Sequence, residues 1–124
     1  MKRALIVDDH DLLRRLLSRL LSQRGFETDT ATDGVKAEEM LRNKGPYALM
    51  VTDSIMPERE GIETIMGAKE RYPGLKIIAI SGGGRGSAQD YLGVARIVGA
   101  DLCLRKPFTA DEWNAALDEV LGAD

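Results

Sequence analysis

The sequence of 124 residues is poor in several residue types, and each shortage narrows the kinds of protein it can encode. It has one cysteine, Cys103, which excludes an internal disulfide and a disulfide-stabilised secreted scaffold. Its 17 lysines and arginines are outnumbered by 20 aspartates and glutamates, for a net charge of −3. Phosphate backbones are bound by clustered basic residues, so we expect no direct contact with nucleic acid.

Long apolar runs are also missing. Only four apolar residues separate Met1-Lys2-Arg3 from the acidic pair Asp8-Asp9, which is too few for a signal-peptide core or a membrane span. The glycine-rich stretch 82–86 lacks the GxxxxGK[ST] pattern of a nucleotide-binding loop, so we interpret it as a mobile loop. We therefore expect a cytoplasmic protein without membrane insertion.

The chain does contain enough apolar sequence for one folded unit. With 44% hydrophobic and 30% charged residues, this length predicts a single globular domain over residues 1–124. Short apolar runs predict five strands, at 4–7, 26–31, 47–52, 75–80 and 102–104. The first, third and fourth are continuously apolar, as in parallel strands covered on both faces. The second mixes polar residues and is predicted near an edge.

Segments of helical periodicity lie between and after these runs. The clearest is a stripe of six leucines between residues 12 and 21, ended by Gly25 in a position suited to a C-cap. The last helix is marked by a capping box of Thr109 and Glu112. Weaker patterns predict helices from an Asp33 cap to residue 41, over 60–72 with Ile62, Ile65 and Met66 on one face, and over 87–98. The alternation predicts a doubly wound α/β domain of three layers.

In such a sheet the functional crevice lies outside the carboxyl ends of the strands. Five residues occupy those ends: Asp8, Asp9, Asp53, Ser81 and Lys106. Three carboxylates in one crevice would repel each other without a cation, and hard oxygen ligands suit Mg²⁺ or Mn²⁺. An aspartate beside such an ion can attack phosphorus and form an aspartyl phosphate, with Lys106 and Ser81 against the phosphoryl oxygens.

Each of these residues has a simpler interpretation when taken alone. Aspartates after strands often cap helices, a serine before glycines usually forms a turn, and a lysine at a strand end is usually solvated. Their joint placement at four different strand ends favours a functional site.

The strand-end motifs together resemble those of bacterial receiver domains of two-component response regulators. They are LIVDD at 5–9, DSIMP at 53–57 followed by Gly61, ISG at 80–82 and RKPF at 105–108, and the resemblance covers essentially the whole chain. It implies a CheY-like, flavodoxin-like (βα)5 three-layer sandwich with a five-stranded parallel sheet of order 2-1-3-4-5.

The resemblance also implies a role for each site residue. Asp53 would be the phosphoacceptor, Ser81 and Lys106 would contact the phosphoryl group, and the Lys106–Pro107 bond would be cis. The metal ligands would be Asp9, Asp53 and the backbone carbonyl of Ile55, with Asp8 bound through water. One departure is Cys103, where many receivers carry tyrosine or phenylalanine. We interpret Cys103 as a small buried residue, so any switch must be relayed differently.

The function implied is that of a signalling module and not of an enzyme. A sensor histidine kinase or histidine phosphotransferase would donate the phosphoryl group, and the product would bind a downstream protein target. We expect a monomer or a phosphorylation-dependent dimer. No output domain follows residue 124, so we expect a single-domain regulator, with a receiver excised from a longer protein as the alternative.

Two other functions remain open. One is a metal-dependent phosphohydrolase that passes through an aspartyl phosphate, although the haloacid-dehalogenase type requires D-x-D after the first strand, where this chain has Asp8-Asp9-His10. The other is a pseudo-receiver that serves only as a scaffold. Retention of all five site residues makes that scaffold the least favoured function.

Overall fold

The computed structural model describes residues 2–53, 58–81 and 87–122, with the backbone alone at 58–60 and 87–92. Within these ranges five strands alternate with five helices. In chain order they are β1 (Lys2–Val7), α1 (Asp11–Ser22), β2 (Phe26–Ala31), α2 (Gly34–Lys44), β3 (Leu49–Asp53), α3 (Glu58–Arg71), β4 (Lys76–Ser81), α4 (Ser87–Val98), β5 (Leu102–Arg105) and α5 (Ala110–Leu121). No helix in these ranges has both the length and the apolar character needed to cross a membrane.

The strands form one parallel sheet in the order β2-β1-β3-β4-β5. This confirms the doubly wound α/β fold and the 2-1-3-4-5 order. It also confirms that the second strand lies at an edge, as its mixed polar sequence predicted. Because every strand runs in the same direction, the residues that follow them meet at one side of the sheet.

Alternation of side chains along the strands produces two apolar layers. Leu5 of β1 faces a cluster with residues from α2, α3 and α4, whereas Ile6 faces a second cluster with α1 and α5. Trp113 of α5 is fully buried in the second cluster and stacks on Phe108, with the ring centroids 6.0 Å apart. Strands β1, β3 and β4 are continuously apolar because helices cover both faces of the sheet.

Local hydrogen bonds fix the starts of three helices. The Asp33 carboxylate accepts from the Lys36 amide and caps α2, as predicted. Thr109 and Glu112 form the predicted capping box of α5, in which each side chain bonds the backbone of the other residue. His10 caps α1.

The predicted C-cap at Gly25 is wrong in position. Helix α1 ends at Ser22 with Gln23 as its cap, and Gly25 lies two residues further along. Gly25 instead adopts a φ of +86°, a left-handed conformation that suits glycine and turns the chain into β2.

Three other expectations need correction. Strand β3 begins at Leu49 and not at Tyr47, although the Ala48 amide already donates to the Arg3 carbonyl of β1 at 2.8 Å. Met66 was expected beside Ile65 on the buried face of α3, but it is 42% exposed while Ile65 is 0% exposed. A helix turns by about 100° per residue, so with Ile65 facing the sheet the neighbouring Met66 is turned toward the margin of the buried face. Cys103 is only half-buried, at the margin of the apolar cluster that includes Leu5 and residues of α2, α3 and α4.

Candidate functional site

Backbone hydrogen bonds hold the carboxyl ends of the strands in register. The Asp8 amide donates to the Ala31 carbonyl at 3.0 Å, which continues the β1–β2 pairing beyond Val7. The Lys106 amide donates to the Ser81 carbonyl at 2.9 Å and places the lysine beside the end of β4. Lys106 is followed by a cis bond to Pro107, as the resemblance implied.

Asp53 and Lys106 form an ion pair at this edge. Asp53 ends β3 with its side chain 1% exposed, and the Lys106 ammonium lies 2.6 Å from its Oδ2 atom. A carboxylate removed from water requires a charged or hydrogen-bonding partner. The Lys106 ammonium is such a partner for Asp53.

Asp8 lies in the same crevice and is fully buried. Its Oδ1 atom accepts from the His10 amide at 2.9 Å, while Oδ2 has no hydrogen-bond partner among the described residues. Burial raises the pKa of the Asp8 carboxyl, and the nearby charge of Asp53 raises it further. The His10 amide and the Lys106 ammonium act in the opposite direction. The crevice therefore holds more negative charge than Lys106 can balance.

The remaining predicted site residues differ in their exposure to solvent. Ser81 is 2% exposed at the end of β4, whereas Asp9 is exposed to solvent. Ile55 and the glycine-rich stretch 82–86 lie outside the described residues. No group of three or more His, Cys, Asp or Glu side chains converges on a metal-binding position in the part of the chain described.

The two buried carboxylates, Asp8 and Asp53, nevertheless suit a divalent cation. Asp8 presents an oxygen atom without a hydrogen bond, and carboxylate oxygens are the ligands that Mg²⁺ and Mn²⁺ prefer. A cation beside Asp8 and Asp53 would offset the repulsion that raises the pKa of Asp8.

Two further residues contribute to this edge of the sheet, and neither was predicted from the sequence. The Nδ1 atom of His10 accepts a hydrogen bond from the Leu13 amide, which caps the start of α1. Arg14 donates to the backbone carbonyl of Asp8 at 2.8 Å and pairs with Asp11 at 3.0 Å, so it ties α1 to the end of β1. The i,i+3 spacing of Asp11 and Arg14 was a signal for their pairing.

With this geometry established, the class of protein follows. A doubly wound sheet with a buried aspartate–lysine pair at its carboxyl edge has the arrangement expected of a phosphoacceptor domain. Residues 4–118 match the family model of the response regulator receiver domain, and the chain belongs to that family. Receiver domains are parts of signalling regulators.

Individual relatives agree with this assignment. The chain is 34% identical over 122 residues to the chemotaxis protein CheY of Halobacterium salinarum, covering 98% of each protein. It is 36% identical over 124 residues to the CpxR homolog of Haemophilus influenzae, covering 98% of this chain but 51% of the relative. The chain thus spans nearly all of one relative and about half of the other.

Solved structures share the fold. A receiver domain protein from Clostridium thermocellum superposes with a TM-score of 0.83 at 25% identity, covering 98% of this chain and 94% of the other. TrrA from Thermotoga maritima superposes with a TM-score of 0.80 at 30% identity, covering 97% and 99% of the two chains.

Proposed function

We propose that Asp53 accepts a phosphoryl group and that the chain acts as a phosphorylation-dependent signalling module. The observation that carries this proposal is the buried Asp53 carboxylate, which ends β3 with the Lys106 ammonium 2.6 Å from Oδ2. A carboxylate at this position has the basic oxygen needed to attack phosphorus, and a cation beside it to stabilise the transferred charge.

In the proposed transfer, a carboxylate oxygen of Asp53 forms a bond to phosphorus. The bond from phosphorus to the donor breaks, and its electron pair leaves with the donor group. Lys106 lies close enough to pair with a phosphoryl oxygen, and the Ser81 hydroxyl donates a hydrogen bond to another. Such fixed donors lower the energy of the transition state because they need not reorganise during the reaction.

We propose Mg²⁺ or Mn²⁺ as the cofactor, held by Asp9, Asp53 and the Ile55 backbone carbonyl, with Asp8 bound through water. When bound, the ion would offset the carboxylate charges and the charge of the phosphoryl group. The buried Oδ2 of Asp8 supports a cation here. TrrA, which is 30% identical, was solved in complex with Mg²⁺ and beryllofluoride.

The donor we propose is a sensor histidine kinase or histidine phosphotransferase, and the output is association with a downstream protein in the cytoplasm. The chain is 34% identical over 116 residues to part of the sensor protein EvgS of Escherichia coli, covering 94% of this chain and 9% of EvgS. The beryllofluoride-activated NtrC4 receiver, 31% identical, was solved as a dimer. Of the two oligomeric states expected, a monomer or a phosphorylation-dependent dimer, that relative supports the dimer.

Intact-mass measurement after incubation with acetyl phosphate and Mg²⁺ tests the proposal. We expect one phosphoryl adduct, which is lost in Asp53→Asn and when a chelator removes the metal. The matched control is Asp101→Asn, because Asp101 also pairs with a lysine, Lys69 at 2.9 Å, but directly precedes β5 and so lies at the amino-terminal ends of the strands.

The control variant should be phosphorylated like the wild type. An adduct that persists in Asp53→Asn would show that another residue accepts the phosphoryl group. Phosphorylation in the presence of the chelator would show that no metal is required. Continuous release of phosphate well beyond one equivalent would favour the phosphohydrolase instead.

A further inference from the structure

An open groove of about 310 Å³ separates α2 from α3 on the outer side of the helical layer. Leu41, Gly67 and Ala68 line it, and Tyr72 lies at one end. Val35, another lining residue, has 73% of its side chain exposed. The groove thus has apolar residues along its length, one of which is largely exposed.

Gly67 keeps the groove open. A Cβ atom added at this position would meet no described atom within 4 Å, so the absence of a side chain is not required by packing inside the domain. Glycine within a helix costs roughly 1 kcal/mol relative to alanine. A glycine without an internal steric reason is well suited to close approach by another chain.

The charges around the groove are mainly negative. Glu38, Glu63 and Glu70 line it against one basic lining residue, Arg71, and Arg42, outside the lining, also pairs with Glu38 at 3.6 Å. The Arg71 guanidinium reaches from α3 to within 3.6 Å of the Glu38 carboxylate on α2. This contact shows that a guanidinium group is accommodated at the rim, and the exposed pair costs little to exchange for another.

The shape of the groove favours a row of side chains over a compact ligand. At 1.5 Å per residue, the lining segments 34–41 and 63–72 extend for roughly 10 and 14 Å, about two helical turns. Its volume is at the lower limit of small-molecule pockets, which is about 300 Å³. Docking of one amphipathic helix would place successive apolar side chains in the groove and its flanking residues at the rim.

We propose that the α2–α3 groove binds an amphipathic helix of a partner protein, with its apolar side chains beside Gly67 and its lysines or arginines beside the glutamates. Electrostatic complementarity at the rim would steer and orient the partner, while the apolar contact would supply most of the affinity. This inference does not depend on phosphorylation of Asp53.

A labelled synthetic peptide provides the probe. We would use an amphipathic helix of about 14 residues, roughly four turns, built from leucine, alanine and lysine, and follow its fluorescence anisotropy with the full chain. A twin peptide carries glutamate in place of each lysine. Amide chemical shifts of the protein would map the bound position.

The deciding variant is Gly67→Leu, which fills the groove without changing the charge of the protein. Its matched control is Gly93→Leu on α4, because a Cβ added at Gly93 also meets no described atom within 4 Å. Circular dichroism would establish that the two variants are folded. Charge is tested separately with Glu63→Gln and Glu70→Gln combined.

We expect the lysine peptide to bind the wild type and Gly93→Leu equally and to shift amides of α2 and α3. Gly67→Leu and the double glutamine variant should weaken binding by about tenfold or more, equivalent to about 1.4 kcal/mol. The glutamate twin should bind at least tenfold more weakly. Equal affinity for Gly67→Leu, or no binding of the lysine peptide, would overturn the proposal.

Discussion

The Lys106 ammonium lies 2.6 Å from Oδ2 of Asp53, although α3, β4, α4 and β5 separate the two residues in sequence. A second pair, Lys69 and Asp101, has almost the same separation, 2.9 Å. The two pairs differ in burial, because the Asp53 side chain is 1% exposed and the Asp101 side chain 26%. A buried pair is screened less by solvent, so the two should contribute differently to stability.

Double-mutant cycles measure that difference. Combining Asp53→Asn with Lys106→Met should give a coupling energy of about 1–3 kcal/mol in chemical denaturation, since either change removes the ion pair of a carboxylate that is 1% exposed. The matched cycle of Asp101→Asn with Lys69→Met should give about 1 kcal/mol or less. Equal coupling energies would contradict the role assigned to burial.

Asp8 should lower the stability of the metal-free protein. Burial raises the pKa of this carboxyl, so the cost of its charge appears as the pH rises through that raised pKa and persists at neutral pH. In chelator at neutral pH, Asp8→Asn should raise the free energy of unfolding by about 1–3 kcal/mol, the usual cost of an unsatisfied buried polar group.

Added Mg²⁺ provides the companion measurement. It should raise the melting temperature of the wild type more than that of Asp8→Asn, because a bound ligand stabilises the folded state. Glu119→Gln, which neutralises an exposed carboxylate on α5, serves as the control and should change stability by less than about 0.5 kcal/mol. If Asp8→Asn instead lowered the free energy of unfolding in chelator, the buried Asp8 carboxylate would not be destabilising.

Ser81 should act through its hydroxyl group. Removal of one fixed donor to a developing negative charge commonly slows a reaction by about 10²–10³-fold, so Ser81→Ala should slow phosphorylation by acetyl phosphate to that extent. Ser81→Thr keeps the hydroxyl and should retain most of the rate. The time course of the intact-mass adduct measures both. Equal rates for alanine and serine would remove Ser81 from the proposed site.

Tyr47 should stabilise the protein in a pH-dependent way. Its hydroxyl donates to Asp29 at 2.6 Å and, together with Arg3, holds the pKa of Asp29 below its usual range. The stabilisation is therefore present above the ordinary aspartate pKa of about 3.9 and is lost as the pH falls through the lowered value.

Tyr47→Phe tests this contribution. At neutral pH it should lower the free energy of unfolding by about 1 kcal/mol, and the difference from the wild type should shrink below about pH 4. Tyr72→Phe removes a phenol hydroxyl from the helical layer and should show no such pH dependence. A difference between Tyr47→Phe and the wild type that stays constant into acid would exclude the Asp29 linkage.

Ile65 and Met66 provide a direct test of which side of α3 faces the sheet. Ile65→Ala removes a fully buried side chain and should cost about 2–5 kcal/mol. Met66→Ala removes a side chain that is 42% exposed and should cost less than about 1 kcal/mol. Chemical denaturation distinguishes these values, and similar losses would place Met66 in the core after all.

The sequence alone determined the features that depend on neighbouring residues. The alternation of apolar runs and helical stripes predicted five strands, five helices and a doubly wound sheet, because periodicity is local. The Asp33 cap and the Thr109–Glu112 box were predictable for the same reason. Parallel strands also bring their carboxyl ends to one edge, so the candidate site could be chosen before the structure. The strand order came from the family resemblance.

Only the tertiary structure decided which of those residues are buried and what they contact. Asp8 and Asp9 are adjacent in sequence, yet Asp8 is fully buried beside the ends of other strands, where its amide bonds the Ala31 carbonyl, and Asp9 is exposed. The α2–α3 groove likewise depends on how two helices pack side by side. Burial is set by contacts between elements that are distant in sequence, and no local pattern contains that information.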